Sequence, residues 1–374
     1  MSEYEILRLI WWAILGILLI GFAVMDGFDL GTAALLPFVA RTDTERRVAI
    51  NTVGPVWEGN QVWFILGGGA IFAAWPMLYA ASFSGFYLAM FLVLLTLILR
   101  PGGFKFRSKL ENTAWRGFWD WALFAGGVVP ATVFGVAFGN LFEGVPFGFD
   151  ADMRMHSEIT LLSLLNPFAL LCGLVSLSMI VFHGASWLNY KASGMVKQRA
   201  GAAMLYAAIA FVVLFTLAGM WLGQIDGYRI VGAIAHDGPS NPLLKTVIRA
   251  PHAWFANVSA HPALLLTLMA AYGGAVLAVL LRRFPGYAML CSALVPAGTI
   301  ATAGAALFPF LMPSSSEPGA SLTVWDASSS SLTLAVMLGV VVLILPIVIA
   351  YTAWVYRVMR GPVKQSDIDS GHAY

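Results

Sequence analysis

Long apolar stretches recur along the whole chain and constrain its fold more than any other feature. A segment of about 20 apolar residues can cross a lipid bilayer as an α-helix. We therefore predict an all-α polytopic membrane protein with nine transmembrane helices. The predicted spans lie near 8–30, 54–75, 77–99, 119–140, 161–186, 202–222, 261–281, 288–312 and 332–356.

Composition excludes several other classes of protein. Hydrophobic residues make up 59% of the 374 residues and charged residues only 11%, whereas soluble domains carry about 25% charged residues. The formal net charge of +2 gives no basic footprint for nucleic acid. Cys172 and Cys291 lie far apart, so neither a disulfide framework nor a zinc site is indicated. We interpret residues 1–356 as a single transmembrane domain and 357–374 as a cytoplasmic tail.

The basic residues are distributed unevenly between the two sides of the predicted bundle. Of the 21 lysines and arginines, sixteen fall in loops on one side and five on the other. Cytoplasmic loops of membrane proteins carry the excess of positive charge. The sequence therefore predicts an N-terminus outside the cell and a C-terminus in the cytoplasm, as an odd number of spans requires.

Two loops carry local signals of structure. Thr42 and Glu45 have the spacing of a capping box, which predicts a short interfacial helix. The segment 313–331 is rich in serine, a composition typical of a plain linker. It also contains the pair Trp325-Asp326, which indicates that part of the segment packs on a partner or on the top of the bundle.

Five ionisable residues lie inside the predicted spans or at their edges, where charges are costly and often functional. They are Asp26, Asp29, Glu58, Arg100 and Asp120. Asp26 and Asp29 are three residues apart and so share one helix face. Glu58 is predicted about one and a half turns inside the second span. All five belong to the cytoplasmic half of the membrane or its edge.

These charges have two interpretations, and both stay open. In the functional one, Asp26, Asp29 and Glu58 form a proton path from the cytoplasm, because carboxylates in a low dielectric accept and pass protons near neutral pH. In the structural one, Arg100 pairs with Asp29 or Asp120 and holds helices together. We favour the functional interpretation for Glu58 and the structural one for Arg100 and Asp120. For Asp26 and Asp29 the sequence favours neither.

Aromatic and histidine residues add one candidate contact. Most tryptophans lie near span ends, as in an interfacial aromatic belt. Trp57 lies beside Glu58 inside a span, where a quinone ring or an isoprenoid tail could stack. His183 is the only histidine well inside a span, and we interpret it as a hydrogen-bonded interfacial residue rather than an axial haem ligand.

Long ordered blocks of the sequence resemble subunit II of the cytochrome bd-type ubiquinol oxidases. The blocks run from about residue 4 to about residue 356 without large gaps, and such rare, ordered blocks are far more specific than a short motif. They are GFAVMDGFDLG, RTDTERR, WEGNQVWFILGGGAIFAAWP, AASFSGFY, LRPGGFKFRSK, WRGFWDW, GVAFGN, LLNPFALLCGLVS, IDGY, SNPL, FPFLMPSSS and SLTVWDASSS.

The resemblance implies a fold and a set of partners. Family members have nine helices, arranged as two four-helix bundles plus one peripheral helix, in the bacterial inner membrane. They pair with a subunit I that holds two b-type haems, one d-type haem and the quinol-oxidising loop. The complex reduces dioxygen to water with protons from the cytoplasm, and one or two small single-span subunits are common. Subunit II itself would ligate no haem, and would act as a scaffold and as part of the proton-uptake path.

The resemblance also bears on single residues. In relatives, an acidic residue in the W-[DE]-G-N-Q block lines the proton route at the subunit boundary. Here that residue is Glu58, where many relatives have Asp, so its carboxylate reaches one methylene further. Some relatives bind a structural quinone in subunit II, and Trp57 is the residue that we expect to contact it.

Two other functions compete with the oxidase subunit. A proton-coupled secondary transporter would use Asp26, Asp29 and Glu58 as its ion site, and Gly67-Gly68-Gly69 would be a helix break. No repeat between the two halves of the chain supports this alternative. A passive assembly protein would make all five charges structural. The resemblance puts the oxidase subunit far ahead of both.

Overall fold

The computed structural model describes residues 1–369, and helices make up most of that length. The helices are α1 (Glu3–Met25), α2 (Gly27–Val39), α3 (Asp43–Val53), α4 (Trp57–Ala74), α5 (Pro76–Gly85), α6 (Tyr87–Leu97), α7 (Leu99–Phe106), α8 (Thr113–Glu143), α9 (Pro167–Lys191), α10 (Gly194–Leu222), α11 (Ala256–Ala260), α12 (Leu265–Leu280), α13 (Pro285–Leu307), α14 (Ser331–Val358) and α15 (Gln365–Asp369). Short antiparallel strand pairs lie in the loops: β1 (Phe147–Phe149) with β2 (Met155–Ser157), β3 (Gly227–Val231) with β4 (Thr246–Ala250), and β5 (Phe310–Met312) with β6 (Leu322–Thr323). The predicted helical membrane protein is confirmed.

Within the described residues, eight helical segments are long and apolar enough to cross a membrane. The segment Glu3–Val39 joins α1 and α2 into one of them. α4, which corresponds to the predicted second span, is not among the eight, because its first two turns carry Glu58, Asn60 and Gln61. The total of nine spans therefore stays a prediction.

The long helices pack in two groups. α9, α10, α12 and α13 form a closed ring in which each helix packs against the next. In the other group α1 packs on α4, α2 on α8, and α6 mainly on α8. α4 and the α5–α6 segment form a hairpin that turns at Trp75-Pro76, and its two arms pack together mainly near the turn. An apolar cavity opens between the arms further on. α14 lies at the periphery, where Leu334 is buried and the other side chains of 331–358 are at least partly exposed.

The two groups meet where α2 crosses α9 at a pair of glycines. A methyl group added to Gly31 would lie 2.9 Å from the backbone nitrogen of Gly184, closer than real contacts of this kind. Small residues at such a crossing allow helix backbones to approach closely. The crossing places the start of α2, with its two aspartates, in the interior of the molecule.

One end of the molecule, which we call the basic end, is formed by α3, the end of α7, the α9–α10 turn and the segment 359–369. The capping box predicted at Thr42 and Glu45 is confirmed, and α3 follows it directly. The segment after α14 folds back onto the molecule: α15 packs on α3, and Val363 pairs with Ala192. Of the predicted tail over 357–374, residues 370–374 lie outside the described residues.

At the opposite end, the serine-rich segment 313–330 is packed rather than a linker. The Asp326 carboxylate lies 2.7 Å from the Lys245 ammonium. Burial lowers the pKa of Lys245, an effect that Asp326 partly offsets. Arg8, which is fully buried, donates to the Ser328 hydroxyl at 2.8 Å. Composition alone missed this packing, because the serines make their hydrogen bonds to distant parts of the chain; only Trp325-Asp326 had indicated it.

Candidate functional site

Asp26 and Arg100 form a buried ion pair. Asp26 occupies the break between α1 and α2, and Arg100 is the second residue of α7. The guanidinium donates from Nη1 to Oδ2 of Asp26 at 2.8 Å and from Nη2 to Oδ1 at 2.5 Å. Neither side chain is exposed. Such a pair persists only while both partners are present, because either charge alone is costly to bury.

The predicted partners of Arg100, which were Asp29 and Asp120, are wrong. Asp120 lies at the basic end, where Arg46 binds its Oδ2 at 2.6 Å and Arg107 binds its Oδ1 at 2.5 Å. These arginines come from α3 and from the turn after α7, and they occupy the positions next to the Asp120 carboxylate. Arg100 and Asp120 thus belong to separate groups of ion pairs, which hold different helices together.

Asp29 is fully buried and, within residues 1–369, takes part in no ion pair. Its Oδ2 accepts a hydrogen bond from Nδ2 of Asn60 at 2.8 Å, and its Oδ1 has no hydrogen-bond partner. Oδ1 of Asn60 in turn accepts from the Tyr356 hydroxyl at 2.6 Å. Since Arg100 balances Asp26, a charge on Asp29 would be uncompensated, and such a charge is expensive in a low dielectric.

This arrangement suits reversible protonation. A carboxyl group with one hydrogen-bonded and one open oxygen can take up a proton on the open oxygen while it keeps its other bond. The sequence reasoning missed Asn60 and Tyr356. Asn60 could have been found as an amide in an otherwise apolar span, whereas Tyr356 lies at a span end, where an aromatic residue is ordinary.

The predicted depth of Glu58 is wrong. α4 begins at Trp57, so Glu58 belongs to its first turn. In this chain the Glu58 side chain is 66% exposed, and its Oε1 lies 3.2 Å from Nζ of Lys105 on α7. An exposed pair of this kind contributes little to stability. Glu58 is therefore accessible from the surface of the chain. Its basic partner Lys105 could not be found from the sequence, because the two residues are 47 positions apart.

The sequence had suggested an interfacial position for His183, but the structure buries this residue in the interior. Its Nε2 donates to the carbonyl of Val24 at 2.9 Å, and its Nδ1 lies 2.9 Å from the Ser292 hydroxyl. Both ring nitrogens are thus engaged, and an axial haem bond at His183 does not fit. In the described part of the chain no cluster of three or more His, Cys, Asp or Glu side chains is arranged to hold a metal ion.

A large apolar cavity lies between the arms of the α4–α6 hairpin, with a volume of about 940 Å³. Its walls come from α1, α4, α5, α6, α8 and α13, and Gly67, Gly68 and Gly69 line one side. Trp57, the predicted quinone contact, does not line it. The Trp57 ring is 6% exposed and packs against Phe104 at 5.6 Å between ring centres. The chain's own side chains cover Trp57, and its contact with a quinone stays a prediction.

Comparisons with known proteins agree with the resemblance of the sequence blocks. The chain is 50% identical to cytochrome bd-I ubiquinol oxidase subunit 2 of Escherichia coli K12 over 374 aligned residues, which cover 99% of this chain and 98% of that protein. It is 49% identical to the probable cytochrome oxidase subunit 2 of Haemophilus influenzae, with 99% and 98% coverage. Identity to cytochrome bd ubiquinol oxidase subunit 2 of Bacillus subtilis is 32%, over 96% of this chain and 97% of that protein.

The fold also matches a solved structure. The bd oxidase from Geobacillus thermodenitrificans contains a chain that superposes with a TM-score of 0.68, over 94% of this chain and 98% of that one, at 15% identity. The family model for cytochrome bd terminal oxidase subunit II matches residues 7–359. This chain belongs to the cytochrome bd terminal oxidase subunit II family, and it is a membrane-embedded subunit of an oxidoreductase complex that also contains a subunit I.

Proposed function

We propose that this chain acts as a scaffold for a haem-bearing subunit I and supplies part of the proton-uptake path for the reduction of dioxygen to water. The names of its relatives point to ubiquinol as the electron donor. The observation that carries the proposal is Asp29, a buried carboxyl group with one open oxygen beside the balanced pair of Asp26 and Arg100.

In this proposal protons enter at the basic end. Glu58 lies at the surface in the first turn of α4, and Asn60, two residues further, contacts Asp29. Glu58 is then the outer acidic group of the path and Asp29 the inner one. Asp26 keeps its ion pair with Arg100 and contributes the fixed charge next to Asp29.

The haems, two b-type and one d-type, belong to subunit I in this proposal, where they would supply electron transfer and oxygen reduction. The engaged ring nitrogens of His183 support this assignment, since the one histidine inside the helices of the described chain has no free nitrogen for iron. This chain would hold subunit I in place and conduct protons toward it.

The orientation follows from the basic end. Arg46, Arg107 and Arg199 all bind acidic residues of this chain there. They are three of the sixteen basic residues on that side of the sequence, and this excess of positive charge favours its placement in the cytoplasm. We therefore place the N-terminus outside and the C-terminus inside, in the bacterial inner membrane.

Subunit I needs an apolar surface on this chain. We assign it to the side on which Glu58 and Lys105 are exposed, because a partner that covers this pair would enclose the entrance of the path. The remaining perimeter is apolar and would face lipid and one or two small single-span subunits. On α14 alone, exposed residues include Val336, Val340, Leu343, Ile344 and Ile347.

The cavity between the arms of the α4–α6 hairpin is the best place on this chain for a structural quinone. Its volume of about 940 Å³ and its apolar walls suit an isoprenoid chain. Extraction of the purified complex with organic solvent, with and without Gly68→Phe, tests this. Loss of bound quinone in the variant is expected, and an unchanged quinone content would contradict the site.

Two substitutions test the proton path. We expect Asp29→Asn to slow ubiquinol-driven oxygen consumption roughly tenfold or more, because the amide cannot carry the proton, and Glu58→Gln to slow it less, since Glu58 is the outer group of the path. The haem absorption spectrum should stay intact in both. Glu111→Gln, at an exposed acid of the same end, is the matched control. A normal rate in Asp29→Asn with a normal spectrum would contradict the path.

Family membership does not favour the transporter alternative, and a purification separates the two. When the tagged protein is purified in mild detergent, a larger haem-bearing membrane subunit should co-purify with it. The reduced-minus-oxidised spectrum of the preparation should then show b-type and d-type haem bands. A colourless protein that is stable without a partner would contradict the oxidase assignment.

A further inference from the structure

α14 is attached to the rest of the chain mainly near its two ends. Close to its start, the carbonyl of Leu334 accepts a hydrogen bond from Nε1 of Trp11 at 3.0 Å. Close to its end, the Tyr356 hydroxyl donates to Asn60 at 2.6 Å, and the Tyr356 ring meets the Trp187 ring at 6.2 Å. The side chains between these two points are largely exposed. The position of Tyr356 therefore depends on the few contacts at the basic end.

A clamp from α9 holds the chain immediately after Tyr356. The Lys191 ammonium donates to the carbonyl oxygens of Met359 at 2.5 Å and Gly361 at 2.7 Å. The backbone N–H of Val363 donates to the carbonyl of Lys191 at 2.7 Å, and the Ser193 hydroxyl donates to the carbonyl of Val363 at 2.8 Å. These four bonds fix the segment that continues from α14, and with it the end of the helix.

The Tyr356 hydroxyl decides which way round the Asn60 amide lies. An ionised carboxylate only accepts hydrogen bonds, so Asp29 requires the NH₂ side of the amide. The carbonyl side of Asn60 then faces Tyr356, whose hydroxyl can donate to it. Without that hydroxyl, the Asn60 amide loses the bond that holds it in this orientation. Nothing then keeps the Asn60 NH₂ group directed at Asp29.

We propose that Tyr356 and Asn60 are positioning residues that orient the Asp29 carboxyl group for proton transfer, and that Lys191 keeps Tyr356 in place. The inference rests on the proposed role of Asp29. The titratable and charged groups around Asp29 are Asp26 at the α1–α2 break, Arg100 on α7 and Tyr356 on α14. His183 on α9 contacts the ring of Phe28, the residue before Asp29. Only Tyr356 reaches Asp29 through an amide that can turn.

The test is the pH dependence of ubiquinol-driven oxygen consumption in the purified complex. Tyr356→Phe removes one hydroxyl and keeps the ring. Because the ionised form of Asp29 then loses support from Asn60, we expect the midpoint of the rate–pH profile to move upward by about half a pH unit, the size of one hydrogen bond. Asn60→Leu, which removes the donor itself, should move it further in the same direction.

Tyr351→Phe is the matched control, because Tyr351 lies on the same helix, is 64% exposed and makes no hydroxyl hydrogen bond in the described chain. Asp29→Asn is measured beside it. A slow Asp29→Asn with an unshifted Tyr356→Phe profile would overturn this inference alone. A normal rate in Asp29→Asn would overturn the proton path itself. A shift in Tyr356→Phe and not in Tyr351→Phe supports the positioning role.

Discussion

At the scale of single residues, Asp26 and Asp29 show how similar side chains acquire different roles. They are three residues apart, and both are fully buried. Asp26 meets the planar fork of Arg100, whereas Asp29 meets one amide and keeps an oxygen without a partner. A buried carboxylate held by a guanidinium is a structural element. A buried carboxyl group with an open oxygen is a candidate for carrying a proton.

Arg100→Ala should impair assembly of the complex. The substitution leaves the Asp26 carboxylate buried without its counter-charge, and the loss of one partner from a buried pair costs about 3–5 kcal/mol. We expect a strongly reduced yield of haem-containing complex. Lys109→Ala, which removes an exposed lysine near the same end, should assemble normally. Equal yields of the two variants would contradict a structural role for Arg100.

Glu45 makes a stabilising contribution that depends on pH. Burial alone would raise the pKa of Glu45, but hydrogen bonds from Arg199 and from the backbone N–H groups of Arg41 and Thr42 outweigh it and lower the pKa below its usual range. A carboxyl group with a lowered pKa stabilises the fold above its unfolded-state pKa, and this stability is lost as pH falls through the folded-state value.

We therefore expect Glu45→Gln to lower the unfolding temperature of the complex at about pH 7, and the difference to shrink at about pH 4. Thermal unfolding in detergent at the two pH values measures this, with Glu111→Gln as the control. A difference of the same size at both pH values would argue against an ionised Glu45 as the source of the stability.

At the scale of elements, close contacts between helices decide how deep the charges lie. α2 crosses α9 through Gly31 and Gly184, and α8 meets α2 at Gly127. These contacts bring α2 into the interior although its first turn carries Asp29. In contrast, α4 turns the side chain of Glu58 outward. α2 and α4 are both mainly apolar helices, yet Asp29 on α2 is buried and Glu58 on α4 is exposed.

Gly31→Ala should destabilise the crossing of α2 and α9. The added methyl group meets backbone atoms of Gly184 that cannot move aside easily, and overpacking of this kind costs about 1–3 kcal/mol. We expect a lower unfolding temperature of the complex. Gly68→Ala is the control, because a methyl group there projects into open space. If both variants unfold at the same temperature, the crossing does not depend on glycine.

At the scale of the whole molecule, the two ends of the chain are fastened by long-range polar contacts. Arg8 binds Ser328 across 320 positions of sequence, and Tyr356 binds Asn60 across 296. These bonds hold the segment just before α14 and the last turn of α14, a helix with little burial of its own. α14 is therefore attached to the rest of the fold at its two ends, and its middle is open to lipid or to another subunit.

Lys191→Met should loosen the segment 359–369. The variant keeps a long apolar stem but cannot donate to the carbonyls of Met359 and Gly361. We expect faster limited proteolysis after residue 358 in the assembled complex, together with an unchanged haem spectrum. Lys197→Met, at the same end on α10, is the control. Equal cleavage rates would show that the clamp does not hold this segment.

The sequence by itself determined the helical membrane class, the capping box at Thr42 and the family. These depend on the length of apolar stretches, on residues three or four positions apart, and on ordered blocks of sequence, all of which can be read along the chain. Only the tertiary structure decided that Arg100 pairs with Asp26 across 74 positions, that Glu58 is exposed, and that Tyr356 reaches Asp29 through Asn60. The physical reason is that helix rotation and helix crossing choose the partner of each buried charge, and neither leaves a local pattern in the sequence.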